Sequence, residues 1–289
     1  MNKESVRITS LSPLDLDQMH EAFLDSFRDY PIQFSLTKEQ FVKKFVQKLK
    51  IDFELSAGAF DGDRLVGFVF SSSNVYEGKT TAYNGGTGVR RPYRNQGITF
   101  KLYERLIPKF KEKGIEQGIL EVLTTNTRAI RAYERIGFQK SKYFHCFKLP
   151  SRILKKHSVN RDVTIEPVPK PNWALYNDFI DYSPSFLDSQ EMINVNLSNE
   201  TIIEAHLNGQ CVGYTIYQPA LGRIGSLTVD KRFRNKGIGS TLLDYVFRSS
   251  SNKSLTVINA NRESTSTKDF FVNRGFENQL DQYEMKLML

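Results

Sequence analysis

Two copies of one short stretch decide how this chain folds: VRRPYRNQGIT at residues 89–99 and VDKRFRNKGIG at residues 229–239. In each copy a valine ends a predicted strand, an Arg-Asn pair begins five residues later, and a glycine precedes an amphipathic helix. The pattern therefore predicts a strand, a turn and a helix, in the same order, in both halves of the chain.

The elements around the two stretches also recur in the same order. Each half begins with a strand and helices, continues with a hairpin and a further strand up to the valine, and ends with helix, strand, helix and strand. This duplication predicts an α/β (α+β) protein of two tandem domains, 1–149 and 161–289, each with a mixed, mostly antiparallel sheet flanked by helices. Residues 150–160 are basic and polar without alternation, so we assign them to a linker.

The composition predicts an ordinary globular protein. The 289 residues are 39% hydrophobic and 25% charged, which excludes a disordered or disulfide-stapled chain. The polar start lacks the apolar segment of a signal peptide, and no run approaches the ~20 apolar residues of a membrane span. We therefore expect a cytoplasmic protein without a membrane partner.

The net charge, the cysteines and the histidines narrow the possible kinds of function further. The net charge of +8 invites a nucleic-acid interpretation, but basic and acidic residues are mixed along the predicted helices, which favours solvated helix faces instead. A small phosphorylated cofactor would satisfy the same charge. Cys146 and Cys211 fall outside any ligand spacing and the four histidines are scattered, so we expect a reducing compartment and no metal.

The repeated turn has the features of an anion site. A strand that leads through a glycine turn into a helix directs unpaired backbone N–H groups and the positive end of the helix dipole at one point. A diphosphate fits such a point, with the arginine adding a charged contact. Glycines that merely make a turn are the alternative, but the repetition favours the anion. The candidate residues are Arg94, Asn95, Gln96, Gly97, Ile98 and Thr99 in the first copy, and Arg234, Asn235, Lys236, Gly237, Ile238 and Gly239 in the second.

At these residues the chain resembles the GNAT acetyltransferases, in particular members with two such domains in tandem, such as mycothiol synthase-like enzymes. The later residues of the family pattern are Asn126, Ala129, Tyr133, Gly137 and Phe138 in the first half, and only Gly275 and Phe276 in the second. The resemblance implies acetyl-CoA (coenzyme A) as the cofactor, with its diphosphate at the turn, Asn126 among its contacts, and its pantetheine between two strands that splay apart. Thr99 departs from the small residue expected at that position.

Acetyl transfer to an amine needs N–H donors for the developing oxyanion and groups that move two protons. Backbone N–H groups near Gly88 and Val89, or near Thr228 and Val229, could donate at the splay. In the first half, Glu121 and Tyr133 resemble the base and acid of ribosomal-protein alanine N-terminal acetyltransferases. Without that role, Tyr133 is a core aromatic residue and Glu121 a carboxylate on the sheet face.

The second half lacks both groups. Aligned on Gly275, Phe271 stands where Tyr133 does, and Asn259 where Glu121 does. We therefore expect an N-acetyltransferase with its chemistry in the first domain. Catalysis in the second domain stays open if Tyr214 or Tyr283 supplies the acid.

A non-catalytic acyl-CoA-binding or regulatory protein is a further alternative, and a nucleic-acid or ribosome binder is the least favoured. The partner we expect is a small-molecule or peptide amine. The sequence does not identify that amine, and it leaves a homodimer open.

Overall fold

The computed structural model describes residues 6–150, 153–155, 157–252 and 254–289, and its contacts divide the chain into two compact units. Unit 1 is Met1–Ser141 with Glu284–Leu289, and unit 2 is Lys142–Tyr283. Both contain mixed, mostly antiparallel sheets and helices, which confirms the predicted fold class. Across the described residues, no helix has both the length and the apolar character needed to cross a membrane.

Unit 1 contains the first copy of the repeated stretch. Its strands are β1 (Arg7–Ser10), β2 (Ala57–Asp61), β3 (Arg64–Tyr76), β4 (Lys79–Val89), β5 (Gln117–Leu123) and the start of β6 (Gln139–Lys148). Its helices are α1 (Leu16–Ser26), α2 (Lys38–Phe41), which continues as a π-helical stretch (Val42–Lys48), α3 (Ile98–Glu112) and α4 (Thr127–Ile136). Strands β1 to β4 pair antiparallel in sequence order, and β4 pairs with β5 in parallel.

Local signals set the helix ends in unit 1. Thr37 and Gln40 form a capping box before α2, and the Asn126 side chain accepts from the Ala129 N–H at 3.1 Å to cap α4. Gly137 ends α4 with φ 112°, a left-handed conformation that favours glycine. These ends fix where α3 and α4 start relative to the strands that precede them.

Unit 2 repeats the arrangement. Its strands are β7 (Val163–Val168), β8 (Thr201–Leu207), β9 (Gln210–Gln218), β10 (Arg223–Val229), β11 (Thr256–Asn261) and the start of β12 (Glu277–Met288). Its helices are α5 (Trp173–Phe179), α6 (Gln190–Val195), α7 (Ile238–Ser249) and α8 (Thr265–Asn273). Strands β7 to β10 pair antiparallel in sequence order, and β10 pairs with β11 in parallel.

The unit boundaries differ from the domains 1–149 and 161–289 drawn from the sequence, because the last strand of each repeat contributes to the other unit. In unit 1, the Leu289 N–H donates to Glu116 at 3.1 Å, and buried Glu284 accepts from Tyr76 at 2.9 Å and from Ser141 at 2.7 Å. In unit 2, β6 pairs antiparallel with β11, and Phe147 joins the apolar core. Within the predicted linker, residues 151, 152 and 156 lie outside the described residues.

A glycine bulge opens the sheet of each unit at the same place. Gly85 is an extra residue in β4 opposite β3, and Gly225 is an extra residue in β10 opposite β9. Beyond the bulges the parallel pairing stops: β4 pairs with β5 only up to Asn84, and β10 with β11 only up to Ile224. The carboxyl ends of these strand pairs therefore diverge just before each repeated turn.

Candidate active site

The turn between β4 and α3 ends in a backbone shape that suits an anion. Asn95 (φ 64°) and Gly97 (φ 72°) are both left-handed, a backbone shape that gathers successive N–H groups into a concave nest. No side chain caps the start of α3, and a Cβ added to Gly97 would meet nothing within 4 Å. The helix dipole and the uncapped N–H groups can therefore act together on an anion.

This turn opens into a cleft of about 660 Å³ in unit 1. The cleft runs between the end of α1, the end of β4, the start of α3 and one face of α4. Of the residues predicted from the sequence, it is lined by Gly88, Val89, Arg94, Asn95, Gly97, Ile98, Thr99, Asn126 and Tyr133. Gln96 and Glu121 are not among its lining residues, and the Gln96 side chain donates instead to the Pro92 carbonyl at 3.1 Å.

The Arg94 side chain is held by the protein itself rather than presented to an anion. Its guanidinium donates to both carboxylate oxygens of Asp29, at 2.5 and 2.8 Å, and to the Ser26 carbonyl at 2.9 Å. Its Nε donates to the Val89 carbonyl at 3.1 Å. The arginine thus ties the end of α1 to the end of β4, and the turn offers an anion backbone N–H groups instead of this charge.

Tyr133 lies in the cleft and is buried between aromatic rings. Its ring meets Tyr103 and Phe138 edge-on, with centroids 6.4 and 5.7 Å away. Burial raises the pKa of the Tyr133 hydroxyl, while hydrogen bonds to the Thr87 and Asn84 side chains act in the opposite direction. The hydroxyl therefore keeps its proton at neutral pH, as a general acid must.

Glu121 lies on the opposite face of the sheet. Side chains alternate along β5, so Glu121 points away from the face of Leu120, whose partner in the register is Asn84. Asn84 donates to the Tyr103 hydroxyl of α3 at 2.8 Å, which marks that face as the one covered by α3 and α4. On its own face Glu121 accepts a hydrogen bond from Tyr83. Because pairing of β4 with β5 has ended at this point, Glu121 and Tyr133 flank the divergence from its two sides.

The structure adds side chains that the sequence reading had not singled out. Arg128, Arg131 and Arg135 all line the cleft from α4, and the Arg135 guanidinium stacks on Phe100 at 5.2 Å. The spacing of these arginines along α4 is the signal in the sequence that could have indicated them. Tyr30 also lines the cleft, and burial raises its pKa to about 12, against a hydrogen bond from Asn126 that lowers it.

Unit 2 builds the same turn and the same arginine tie. Asn235 and Gly237 have φ 62° and 79°, and α7 also starts without a side-chain cap. The Arg234 guanidinium donates to the Val229 carbonyl at 3.0 Å and the Phe179 carbonyl at 3.2 Å, and pairs with Asp181 at 2.7 Å. Arg94 and Arg234 therefore have equivalent structural roles.

Protein atoms fill the space in front of the second turn. The Phe270 ring lies 3.0 Å from where a Cβ on Gly239 would stand, so this glycine makes room for a side chain of its own unit. The backbone of Val159 and Asn160 packs on Gly237, and the Asn160 side chain donates to the Lys236 carbonyl at 2.9 Å.

The remaining predicted positions of unit 2 do not form a catalytic pair. Buried Phe271 stacks with Phe147, and Asn259 has a left-handed backbone (φ 63°) at a bulge of β11. Thr228 and Val229 lie beyond the part of β10 that pairs with β11, as Gly88 and Val89 lie beyond the part of β4 that pairs with β5. Ile238 is buried in the core. Tyr214 is buried against Tyr176 with ring centroids 3.8 Å apart.

Two matches to one family cover most of the chain. Residues 16–138 match the description "Acetyltransferase (GNAT) family", and residues 179–287 match "Acetyltransferase (GNAT) domain". The chain belongs to the GNAT acetyltransferase family. Each half of the chain carries one GNAT domain, which confirms the resemblance inferred from the two turns, and enzymes of this family generally use acetyl-CoA.

Among curated GNAT relatives, N-alpha-acetyltransferase 30 of Schizosaccharomyces pombe is 33% identical over 97 residues, which are 33% of this chain and 65% of that protein. N-alpha-acetyltransferase MAK3 of Arabidopsis thaliana is 30% identical over 91 residues, 32% of this chain and 48% of that protein. The chain thus spans about half to two thirds of the length of the curated relatives it matches.

Solved structures match the fold over nearly the whole chain. A GCN5-related N-acetyltransferase from Sphaerobacter thermophilus has a TM-score of 0.76 at 12% identity, covering 98% of this chain and 95% of that one. A tandem GNAT protein from the clavulanic acid biosynthesis pathway has a TM-score of 0.69 at 13% identity, covering 98% of each chain. At these identities the likeness concerns the tandem GNAT fold alone.

Proposed function

We propose that this protein is an acetyl-CoA-dependent N-acetyltransferase whose chemistry takes place in unit 1. The observation that carries the proposal is the cleft in which the uncapped turn before α3 and Tyr133 line one continuous space. The corresponding space in unit 2 is filled by Phe270, and Phe271 offers no proton there.

The cleft suits a molecule with a diphosphate at one end. Gly97 leaves its surroundings open, and the nest at Asn95 and Gly97 supplies N–H donors without a competing side chain. The arginines of α4 add positive charge along the same wall, where further phosphate oxygens would be attracted. Backbone donors hold the diphosphate in this proposal, and Arg94 acts by fixing the turn that carries them.

Bound acetyl-CoA supplies an acetyl group activated as a thioester. Tyr133 then holds a proton at its hydroxyl for the thiol product, because burial raises its pKa and keeps it protonated. Glu121, on the other side of the strand divergence, takes the proton that the acceptor amine loses. Gly88 and Val89 remain paired with β3 but lie beyond the segment of β4 that pairs with β5, so the backbone N–H groups here that face away from β3 are the proposed donors to the developing oxyanion.

The acceptor enters from the face of Glu121 and Tyr83 in this proposal. The relatives are named as N-alpha-acetyltransferases, so the first acceptors to test are short peptides with free N-terminal amines. Small amines such as polyamines and amino sugars form the second group. We expect the peptide group to be preferred.

Release of free thiol from acetyl-CoA, followed across both groups of amines, tests the activity directly. Calorimetry with acetyl-CoA provides the separate binding measurement, and we expect one molecule bound per chain. Binding without thiol release for any amine would favour a non-catalytic acyl-CoA-binding protein. Thiol release that survives Tyr133→Phe would move the chemistry away from this cleft.

A further inference from the structure

Three potential metal ligands meet on the β8–β9 hairpin of unit 2. The two cysteines have no ligand spacing in the sequence, yet the structure brings one atom each from Glu204, His206 and Cys211 within 4.8 Å of one another. None of these residues has a part in the proposed acetyl transfer.

Strand register explains the meeting. Glu204 and His206 are two residues apart on β8 and therefore share a face of the sheet. Val212 is an extra residue on β9, so Cys211 rather than Val212 stands opposite His206. A one-residue bulge, which the spacing in the sequence does not reveal, thus places the thiol beside the imidazole.

The three groups are shielded but reachable. The side chains of Glu204 and His206 are 12% and 19% exposed, and Cys211 is 9% exposed. His206 Nε2 lies 2.9 Å from Glu204 Oε2, and the Cys211 thiol donates to the Gly213 carbonyl at 3.5 Å. A zinc ion with ordinary bond lengths needs ligand atoms separated by about 3–4 Å, which small side-chain rotations would give here.

Neighbouring residues hold the carboxylate and extend the donor set. The Tyr176 hydroxyl of α5 donates to Glu204 Oε1 at 2.7 Å, leaving Oε2 beside the imidazole. Such an outer hydrogen bond is typical of carboxylates that ligate metals. On β7, Glu166 stands opposite Glu204 in the register and is exposed, so its carboxylate lies on the same face at the solvent side.

We propose that Glu204, His206 and Cys211 form a binding site for a zinc-class divalent cation, with its fourth position toward Glu166 and solvent. A thiolate, an imidazole and a carboxylate are the donor types that zinc takes in proteins. Binding requires Cys211 to release its proton, and it would tie β8 to β9 next to the bulge.

The same unit offers a matched comparison. His145 Nδ1 lies 2.7 Å from Asp281 Oδ1, so this imidazole also has a carboxylate beside it. Cys146 follows His145 in the sequence. Successive side chains of a strand point to opposite faces, so Cys146 faces away, with its sulfur 3.9 Å from Asn259 and Gln282. This second group therefore has the same kinds of donor, an imidazole, a carboxylate and a thiol, without a shared binding point.

Titration of the full chain with Zn²⁺ against a chromogenic chelator tests the site, with Co²⁺ as a spectroscopic probe of a bound thiolate. We expect one equivalent of Zn²⁺ and a thiolate-to-cobalt charge-transfer band. The band should disappear in Cys211→Ser and persist in Cys146→Ser. Tyr176→Phe should weaken Zn²⁺ binding by ~10- to 100-fold, and His206→Gln by more, while His145→Gln leaves it unchanged.

X-ray absorption of the zinc-loaded wild-type chain gives a readout that does not depend on any variant folding. One sulfur at about 2.3 Å with nitrogen or oxygen neighbours at about 2.0 Å is the expected first shell. A shell without sulfur, or no stoichiometric binding by the wild type, would overturn the proposal. An unchanged cobalt band in Cys211→Ser would do the same.

Discussion

The two turns of this chain have the same backbone but different surroundings. Both pair a left-handed asparagine with a left-handed glycine, and both are tied to a helix end by an arginine. In unit 1 the space in front of the turn is a cleft, whereas in unit 2 an aromatic ring and the segment before β7 occupy it. The comparison teaches that the backbone motif marks where an anion could bind, while the neighbouring side chains decide whether it can.

The α4 and α8 helices show the same contrast in charge. The two helices are aligned on Gly137 and Gly275. In this alignment the three arginines of α4 have no basic counterpart in α8: Arg128 corresponds to Ser266, Arg131 to Asp269 and Arg135 to Asn273. The small residue Ala132 corresponds to Phe270. Unit 1 therefore has a small residue and three positive charges along the wall where unit 2 has a large ring and none of these charges. Exchanging residues between the two helices tests which of these differences matter.

The largest effect is expected from Tyr133→Phe. Removing the hydroxyl removes the proposed acid, so turnover should fall by ~10²- to 10⁴-fold while acetyl-CoA affinity stays nearly the same. Steady-state thiol release and calorimetry measure the two quantities. The mirror variant Phe271→Tyr should leave activity at the wild-type level, and a rise would show that unit 2 contributes chemistry.

Ala132→Phe should close the first cleft as Phe270 closes the second. The added ring would compete with bound acetyl-CoA for the same space, and such overpacking costs about 1–3 kcal/mol. In the free energy of binding, this cost corresponds to a loss of acetyl-CoA affinity of roughly 5- to 150-fold. Calorimetry gives the affinity, and thermal unfolding of the free protein checks that the variant is folded. Normal affinity in this variant would mean that the ligand does not pass along this part of α4.

Arg131→Asp introduces the residue that unit 2 carries at the equivalent position. An exposed charge contact contributes about 0.2–1 kcal/mol, and a charge reversal replaces this attraction by a repulsion of similar size. The affinity for acetyl-CoA should therefore fall by roughly 2- to 30-fold, and by less at high salt. The mirror variant Asp269→Arg should have no effect on the affinity. A salt-independent loss would point to a steric rather than an electrostatic cause.

The smallest effect is expected from Asp29→Asn, which weakens the arginine tie in unit 1. The hydrogen bond from Arg94 lowers the pKa of Asp29 from 3.8 to about 2. A depressed carboxylate pKa stabilises the fold above pH 4, and this contribution is lost as the pH falls from about 4 to about 2. Because Asp29 is half exposed, the variant should lose at most about 1 kcal/mol at neutral pH.

Chemical unfolding at pH 7 and at pH 2 measures that difference. The gap between wild type and Asp29→Asn should narrow at the lower pH. Asp181→Asn should behave in the same way, since hydrogen bonds from Arg234 and Lys231 outweigh burial and lower the pKa of Asp181. A gap that does not change with pH would mean that the charge of the carboxylate adds nothing to stability.

The repeated stretches and the local signals at turns and helix ends made the fold and the position of the first site predictable. The glycines at the turns, the cap at Asn126 and the Gly-Phe pairs depend on local backbone conformation, which sequence patterns report well. The partners of Arg94 could not be predicted, because Asp29 is 65 residues away and any exposed anion would have satisfied the same guanidinium. The position of Phe270 could not be predicted either, because its neighbour Gly239 lies on another helix.

The exchange of the last strands was not predictable for a related reason. The segments 139–148 and 277–288 both follow a Gly-Phe pair and both have the composition of a strand, so either suits either sheet. The cluster of Glu204, His206 and Cys211 depends on a single extra residue in β9, and a one-residue change of register moves a side chain to the other face. Patterns in sequence specify the strands more firmly than they specify the pairing.

The strand exchange affects the order in which the protein can be completed during synthesis. Glu284–Leu289 belong to unit 1, but the ribosome adds them only after every residue of unit 2. Until then the edge of β5 that receives this segment lacks its strand, and unpaired edges invite association between nascent chains. Most of the proposed catalytic unit is thus synthesised before unit 2, but its last strand is synthesised after unit 2. A protein consisting of residues 1–149 alone would lack that strand.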